Sequence, residues 1–73
     1  MITVYTMPNC VQCNWTKRIL IDAGAEFLEV DLSVDADALE HLRALGYAQA
    51  PVVVAGAQSW AGFRPDRLRS LAQ

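Results

Sequence analysis

The chain has 73 residues, of which 53% are hydrophobic, and a formal net charge of −2 at pH 7. This length predicts a single domain over residues 1–73. A folded chain of about 60 residues buries only about 60% of the surface that it exposes when unfolded, so a chain of this size cannot be divided into two stable cores. The composition is globular, which excludes a disordered chain. There is no basic stripe and no run of 18 apolar residues, so neither nucleic acid nor a membrane is an expected partner.

The first two predicted elements flank a cysteine pair. Residues 2–6 are β-branched and aromatic and predict a strand, which Pro8 ends by fixing φ and removing a donor. A helix is predicted to begin at Cys10 and Cys13 and to end before Gly24, a natural residue after a helix C-terminus. Its predicted apolar stripe has a spacing of four residues, with two further apolar residues alongside: Val11, Trp15 and Ile19, with Leu20 and Ala23.

The middle of the chain predicts a second strand and a second helix. The strand covers residues 27–32, and either Ser33 or Asp35 can cap the helix that follows. An apolar stripe carries this helix to Gly46, and it consists of Leu39, Leu42 and Leu45.

The last part of the chain predicts a β-hairpin and a closing helix. Pro51 opens the apolar strand 52–54, and Gly56-Ala57 can turn the chain into a strand over 58–61, with Gly56 suited to the first central position of a type II′ turn. Pro65 is well placed as the first residue of a helix whose inward residues are Leu68 and Leu71.

The element order is therefore β-α-β-α-β-β-α, an α/β arrangement. A strand, a right-handed helical crossover and a second strand predict a parallel pair, whereas the two-residue hairpin predicts an antiparallel pair. We expect a four-stranded mixed sheet between helices. The first and third helices should cover one face, and the second helix should cover the other.

Cys10 and Cys13 are the only cysteines, in the sequence Cys10-Val11-Gln12-Cys13. Residues three apart lie on one helix face with Cβ atoms about 5–6 Å apart, which permits a reversible disulfide. No targeting segment is visible, so a cytoplasmic location is expected, where a cysteine pair is usually catalytic or metal-binding. Residues 1–21 contain no acid, which favours a thiolate at this position.

Position within the helix distinguishes the two thiols. Cys10, at the helix start, can accept free backbone N–H groups and face solvent, so it is the expected nucleophile, and Cys13 is the expected resolving thiol. Lys17, four residues after Cys13, either stabilises the Cys13 thiolate or, as the more common arrangement, faces solvent.

Three motifs together resemble a known family. They are Cys10-Val11-Gln12-Cys13, Ala50-Pro51-Val52-Val53, and Trp60-Ala61-Gly62-Phe63-Arg64-Pro65-Asp66. In this order the chain resembles the NrdH-redoxins, glutaredoxin-like proteins with a minimal thioredoxin fold. The resemblance implies a monomer without a bound cofactor that takes electrons from thioredoxin reductase, and thus indirectly from NADPH, and passes them to the large subunit of class Ib ribonucleotide reductase.

The resemblance also implies roles for residues around the cysteines. Pro51 should follow a cis peptide bond, lie against the cysteine pair, and leave the backbone of Ala50 free to pair with a substrate strand. Further substrate-contacting residues follow from the family motifs: Val11, Gln12, Trp60, Gly62, Phe63 and Arg64. Trp15, Trp60 and Phe63 have a competing interpretation as core residues, which is the usual place of aromatic side chains in a small domain.

Two positions depart from the family pattern. Met7 stands where many relatives have lysine, so the helix N-terminus must provide most of the stabilisation of a Cys10 thiolate. Ala61 replaces a serine and lacks its hydroxyl group.

The sequence is also consistent with two alternative functions. One is a glutathione-dependent glutaredoxin. The other is a dimer that holds a metal or an iron–sulfur cluster between two cysteine pairs, because His41 is the only histidine and a four-ligand zinc site within one chain is improbable.

Overall fold

A four-stranded mixed sheet forms the centre of the computed structural model, which describes residues 1–71. The spatial order of the strands is β2-β1-β3-β4. Parallel pairing joins β1 to β2, and antiparallel pairing joins β1 to β3 and β3 to β4. The strands span Ile2–Thr6 (β1), Phe27–Asp31 (β2), Val52–Ala55 (β3) and Gln58–Ala61 (β4).

Three helices connect and close the sheet: α1 at Val11–Asp22, α2 at Ala36–Ala44 and α3 at Pro65–Leu71. The order β-α-β-α-β-β-α and the mixed sheet confirm the predicted fold class. Among residues 1–71 no helix combines the length and the apolar character needed to cross a membrane, and the longest, α1, has 12 residues.

The sheet separates two apolar clusters. On one face, α1 and α3 pack against the sheet around a buried set, Val4, Leu20, Val53, Trp60 and Leu68. On the other face, α2 packs around Leu32, Leu42 and Val52. This placement of the helices is the predicted one. It follows from the alternation of side chains along β3, which sends Val53 to one face and Val52 to the other.

Local capping and turn chemistry follow the sequence closely. Of the two candidate caps for α2, Asp35 is the one used, and its carboxylate accepts a hydrogen bond from the Ala38 N–H at 3.0 Å. Gly56 has φ of +61°, whereas Ala57 is not among the residues with positive φ, which is the combination that a type II′ turn requires. Pro65 is the first residue of α3, as predicted.

The predicted apolar stripe of α1 is wrong in its first half. Val11 and Trp15 are 58% and 53% exposed, and the buried residues of the helix are Cys13, Thr16 and Leu20. Thr16 can occupy the core because its hydroxyl donates to the Gln12 carbonyl at 2.9 Å, so no polar group is left unpaired. A pattern that counts threonine as polar therefore assigns the wrong face to this helix.

Candidate functional site

The turn between β1 and α1 places the cysteines at the edge of the sheet where β1 ends. Asn9 has φ of +60°, a left-handed conformation that asparagine tolerates better than most residues. Cys10 follows with an extended backbone and is the N-cap of α1. The first helical turn contains no acidic residue, so the positive end of the helix is not offset there.

Cys10 and Cys13 form a disulfide, and their Cα atoms are 5.2 Å apart, within the usual range for a disulfide. The two residues differ in their surroundings. Cys10 is half-buried, and its Sγ accepts a hydrogen bond from the Cys13 N–H at 3.1 Å, whereas Cys13 is only 1% exposed. Of the two sulfurs, that of Cys10 is therefore the one that can attack another molecule or be attacked by it.

Lys17 is engaged by a carboxylate on β2. Its Nζ donates to Glu29 Oε2 at 3.0 Å, and the same oxygen accepts the hydroxyl of the buried Thr6 at 3.0 Å. The Lys17 side chain is 25% exposed and paired, so it is not a solvent-facing lysine, and its stabilisation of the Cys13 thiolate stays a prediction. No local sequence pattern indicates this network, because it depends on the register between β1 and β2.

The Ala50-Pro51 peptide bond is cis, as the resemblance implied, and Pro51 is fully buried. Pro51 precedes β3, whose first residue Val52 pairs with Tyr5 near the end of β1, so it lies at the same sheet edge as the cysteine turn. The Pro51 carbonyl accepts the Gly62 N–H at 2.8 Å. Within the described chain, neither the N–H nor the C=O of Ala50 forms a hydrogen bond, and both are free for a partner backbone.

Two aromatic side chains link α1 to the segment after β4. The Trp15 and Phe63 rings lie with centroids 5.5 Å apart at an angle of 59°. Phe63 also packs against the core beneath α1 and α3. Trp15 thus forms an exposed aromatic wall on α1, and the interpretation of Trp15 as a core residue is wrong.

Trp60 lies inside the core, with only 5% of its surface exposed. The Arg67 guanidinium lies 5.2 Å from the centre of its ring. Trp60 therefore supports, from the core side, the segment that contains Gly62 and Phe63. Its predicted contact with substrate stays a prediction.

Arg64 directs its charge at the first turn of α3. Its Nε and Nη2 donate to the two carboxylate oxygens of Asp66, at 3.3 and 3.2 Å. The hydrogen bond from Arg64 holds the pKa of Asp66 below its ordinary value of 3.8. Asp66 thus offsets the unfavourable position of a cation before a helix N-terminus.

The remaining predicted residues lie on the outer surface of α1. Val11 and Gln12 are both exposed, in the turn between the two cysteines. The fold brings all the predicted site residues to one edge of the sheet except Trp60, which lies beneath it. Within residues 1–71, no group of three or more histidine, cysteine, aspartate or glutamate residues is arranged to hold a metal ion.

A groove at this edge of the sheet was not predicted from the sequence. Between α2 and the segment before Pro51 lies a groove of about 200 Å³, which reaches from Met7 to Ala50. Its walls come from separate parts of the chain, so no local pattern predicts it.

Comparison with known proteins places this geometry in a family. The glutaredoxin family model matches residues 2–60. The chain is 51% identical to the glutaredoxin-like protein NrdH of Salmonella typhimurium, covering 96% of this chain and 86% of that protein. It is 33% identical to NrdH of Lactococcus lactis subsp. cremoris, covering 99% of this chain and 100% of that protein.

A solved structure agrees with the sequence comparison. The glutaredoxin-like NrdH-redoxin of Escherichia coli superposes with a TM-score of 0.93 at 47% identity, over 96% of this chain and 92% of that chain. The glutaredoxin of Archaeoglobus fulgidus, at 22% identity and a TM-score of 0.86, shares the fold.

Proposed function

The chain belongs to the glutaredoxin family and is an NrdH-type redoxin, and on this basis we propose that it carries electrons from thioredoxin reductase to the large subunit of class Ib ribonucleotide reductase. The observation that carries the proposal is the asymmetry of the cysteine pair. Cys10 is half-buried at the N-terminus of a helix whose first turn contains no acid, and Cys13 is buried one turn later. These are the environments of an attacking and a resolving thiol.

The reaction is a balanced two-electron exchange. The Cys10 thiolate attacks one sulfur of the target disulfide, which forms a mixed disulfide and releases the other target sulfur as a thiolate that takes up a proton. Cys13 then loses its proton and attacks Cys10, which forms the Cys10–Cys13 disulfide and frees the second target thiol. The target gains two electrons from the redoxin and two protons, one released by Cys13 and one taken from solvent, because Cys10 enters the reaction as a thiolate.

Four structural features support binding of a target strand beside Cys10. The free backbone groups of Ala50 can pair with an extended target segment through main-chain hydrogen bonds. Pro51 and Gly62 are joined by a hydrogen bond, which fixes the two loops beside the cysteines. Val11 and Gln12 present an exposed surface between them, and Phe63 with Trp15 bounds the other side.

Thioredoxin reductase is the favoured electron source over glutathione. Glutathione carries two carboxylates, and cations at the site would recognise them. Position 7 is methionine, Lys17 is paired with Glu29, and Arg64 is paired with Asp66. This leaves Arg43, in the lining of the groove beside Ala50, as one cation, unpaired within residues 1–71, for two carboxylates. The E. coli relative has a thioredoxin-like activity profile. The electrons reside in the cysteine pair itself, so the proposed reaction requires no bound cofactor. We expect the protein to act in the reducing cytoplasm, where NADPH supplies the electrons through the reductase.

The test compares two reductants on the oxidised protein. Reduction of the Cys10–Cys13 disulfide is measured with thioredoxin reductase and NADPH, and separately with glutathione, glutathione reductase and NADPH. We expect faster NADPH oxidation with thioredoxin reductase by at least about tenfold, a barrier difference of about 1.4 kcal/mol. Faster turnover with glutathione would replace the proposal with a glutathione-dependent function.

The receiving end of the route needs its own test. Reduced redoxin, freed of small thiols, is mixed with the oxidised large subunit of class Ib ribonucleotide reductase, and thiols appearing on that subunit are counted. We expect two thiols per redoxin consumed. A Cys10→Ser variant is the matched control, and transfer by that variant would contradict the proposal.

A further inference from the structure

The groove beside Ala50 has the composition of a side-chain subsite. It lies on the α2 face of the sheet and has a volume of about 200 Å³. Leu39 and Leu42 form its α2 wall, and Tyr47 lies at its side. An apolar lining of this size suits one large apolar side chain, whose burial in it is favourable.

One wall of the groove is held in place. The Tyr47 hydroxyl is 2.6 Å from the Ser59 hydroxyl on β4, and the Tyr47 ring packs against the apolar cluster around Leu42. A wall fixed in the free protein reduces the entropy lost when a ligand binds.

Arg43 is the charged residue that lines the groove. Lys17, Arg18 and Arg64 each form an ion pair, but Arg43 forms none within residues 1–71. An unpaired guanidinium beside an apolar groove is complementary to a ligand that presents a carboxylate next to an apolar group.

The groove is continuous with the proposed target-binding edge. Its lining includes Met7, three residues before Cys10, and Ala50, whose backbone groups are free. An extended segment paired with Ala50 directs alternate side chains to opposite sides. One of those side chains can therefore enter the groove while the target disulfide faces Cys10.

We propose that this groove is a specificity subsite for the target polypeptide: it takes one apolar side chain of the strand paired with Ala50, and Arg43 binds the carboxylate of an adjacent residue. This inference rests on the proposed function, because it names a feature of the target of that same exchange. Glutathione has no large apolar side chain to fill such a groove, so the subsite separates polypeptide targets from that tripeptide.

The test uses peptides that differ at two positions. Each peptide contains a Cys-x-x-Cys disulfide. The pair Leu-Glu, Leu-Gln or Ser-Glu is placed two residues before this motif in one set of peptides and two residues after it in a second set. Fully reduced redoxin is mixed with each peptide, and the reduced peptide is quantified after acid quenching. We expect Leu-Glu to react about threefold faster than Leu-Gln and about tenfold faster than Ser-Glu, in one of the two placements.

Two substitutions assign these preferences to the groove. Arg43→Gln should remove the preference for Glu over Gln and retain the preference for Leu over Ser. Ala48→Phe, at an exposed position in the groove lining, should reduce the preference for Leu. Arg18→Gln is the matched control, because Arg18 lies in an exposed pair with Asp22 on α1, and it should change neither preference.

The outcomes distinguish failure of the subsite from failure of the proposed function. Equal rates for all peptides with the unmodified protein, or a preference for Glu that survives Arg43→Gln, would overturn the subsite while leaving the dithiol exchange intact. A preference lost equally in Arg18→Gln would show a general charge effect and would also overturn it. Failure of reduced redoxin to reduce any peptide would overturn the proposed function itself, and the subsite with it.

Discussion

The two faces of the sheet are closed to different degrees. Two helices, α1 and α3, cover one face, and Trp15 on Phe63 extends that cover to the edge with the cysteines. One helix, α2, covers the other face and leaves a groove beside Ala50. The face that carries the cysteine helix is thus the packed one, and the open space lies across the sheet from it.

This difference shows how a very small domain can combine a rigid reactive group with an adaptable binding surface. The cysteine pair belongs to the helix that packs most deeply, with Cys13 and Leu20 buried on the same face. Recognition can use the less covered face, where a groove costs little stability because solvent reaches it. The following predictions test this division.

The largest expected effect is on core stability. Leu20→Ala should lower the free energy of unfolding by about 3 kcal/mol, because it leaves a closed cavity in a fully buried position. Leu42→Ala should cost less, about 2 kcal/mol, because Leu42 lines the groove and the space it vacates joins an open depression. Urea denaturation of the reduced proteins measures both, and an equal or larger loss for Leu42→Ala would contradict the comparison.

A smaller effect is expected at the aromatic wall. Trp15→Ala should lower the free energy of unfolding by about 1 kcal/mol, because it removes the contact with Phe63 from a half-exposed position. Trp15→Phe is the matched control and should retain most of that energy. Trp15 and the groove are on opposite faces, so Trp15→Ala should leave the peptide preference for Leu-Glu unchanged. A lost preference would show that the two faces are coupled.

The smallest expected effect is on the loss of stability in acid, to which two carboxylates contribute. Hydrogen bonds from Arg64 hold the pKa of Asp66 below its ordinary value of 3.8, and hydrogen bonds from Ser33 do the same for Asp31. A carboxyl group whose pKa is lower in the folded state stabilises the fold above about pH 3.8. That stability is lost as the pH falls through the lower, folded-state pKa.

Asp66→Asn and Asp31→Asn should therefore each flatten the loss of stability below about pH 4, and the double variant should flatten it more. Urea denaturation between pH 2.5 and pH 7 measures the slope. Asp22→Asn, in the exposed pair with Arg18, is the control. An unchanged acid slope in the double variant would show that these hydrogen bonds do not persist in solution.

Local chemistry made most of the fold predictable. Three local features each depend on the conformational preference of one residue, and that preference can be read from the residue type. They are the hairpin at Gly56, the cap at Asp35 and the helix start at Pro65. The element order predicted which helices cover each face of the sheet. The cis bond before Pro51 came from family resemblance, because a proline alone does not specify it.

The parts that were not predictable depend on one local hydrogen bond, which lets a polar side chain be buried, and on contacts between distant segments. Thr16 is buried only because its hydroxyl reaches a carbonyl one turn earlier, and this reversed the assignment of Trp15. Glu29 meets Lys17 through the register of β2, and the groove joins Met7 to Ala50 across the sheet edge. Asn9 had a weak local signal, since asparagine after proline favours a turn with positive φ.

The central claim is that Cys10 attacks and Cys13 resolves, and trapping of the mixed disulfide tests it most directly. Reduced Cys13→Ser and Cys10→Ser variants are each mixed with a peptide disulfide, quenched with acid and analysed by intact mass. We expect the peptide to be covalently attached to Cys13→Ser, where no second thiol can release it, and absent from Cys10→Ser, whose remaining thiol is buried. Attachment to Cys10→Ser alone would contradict the account.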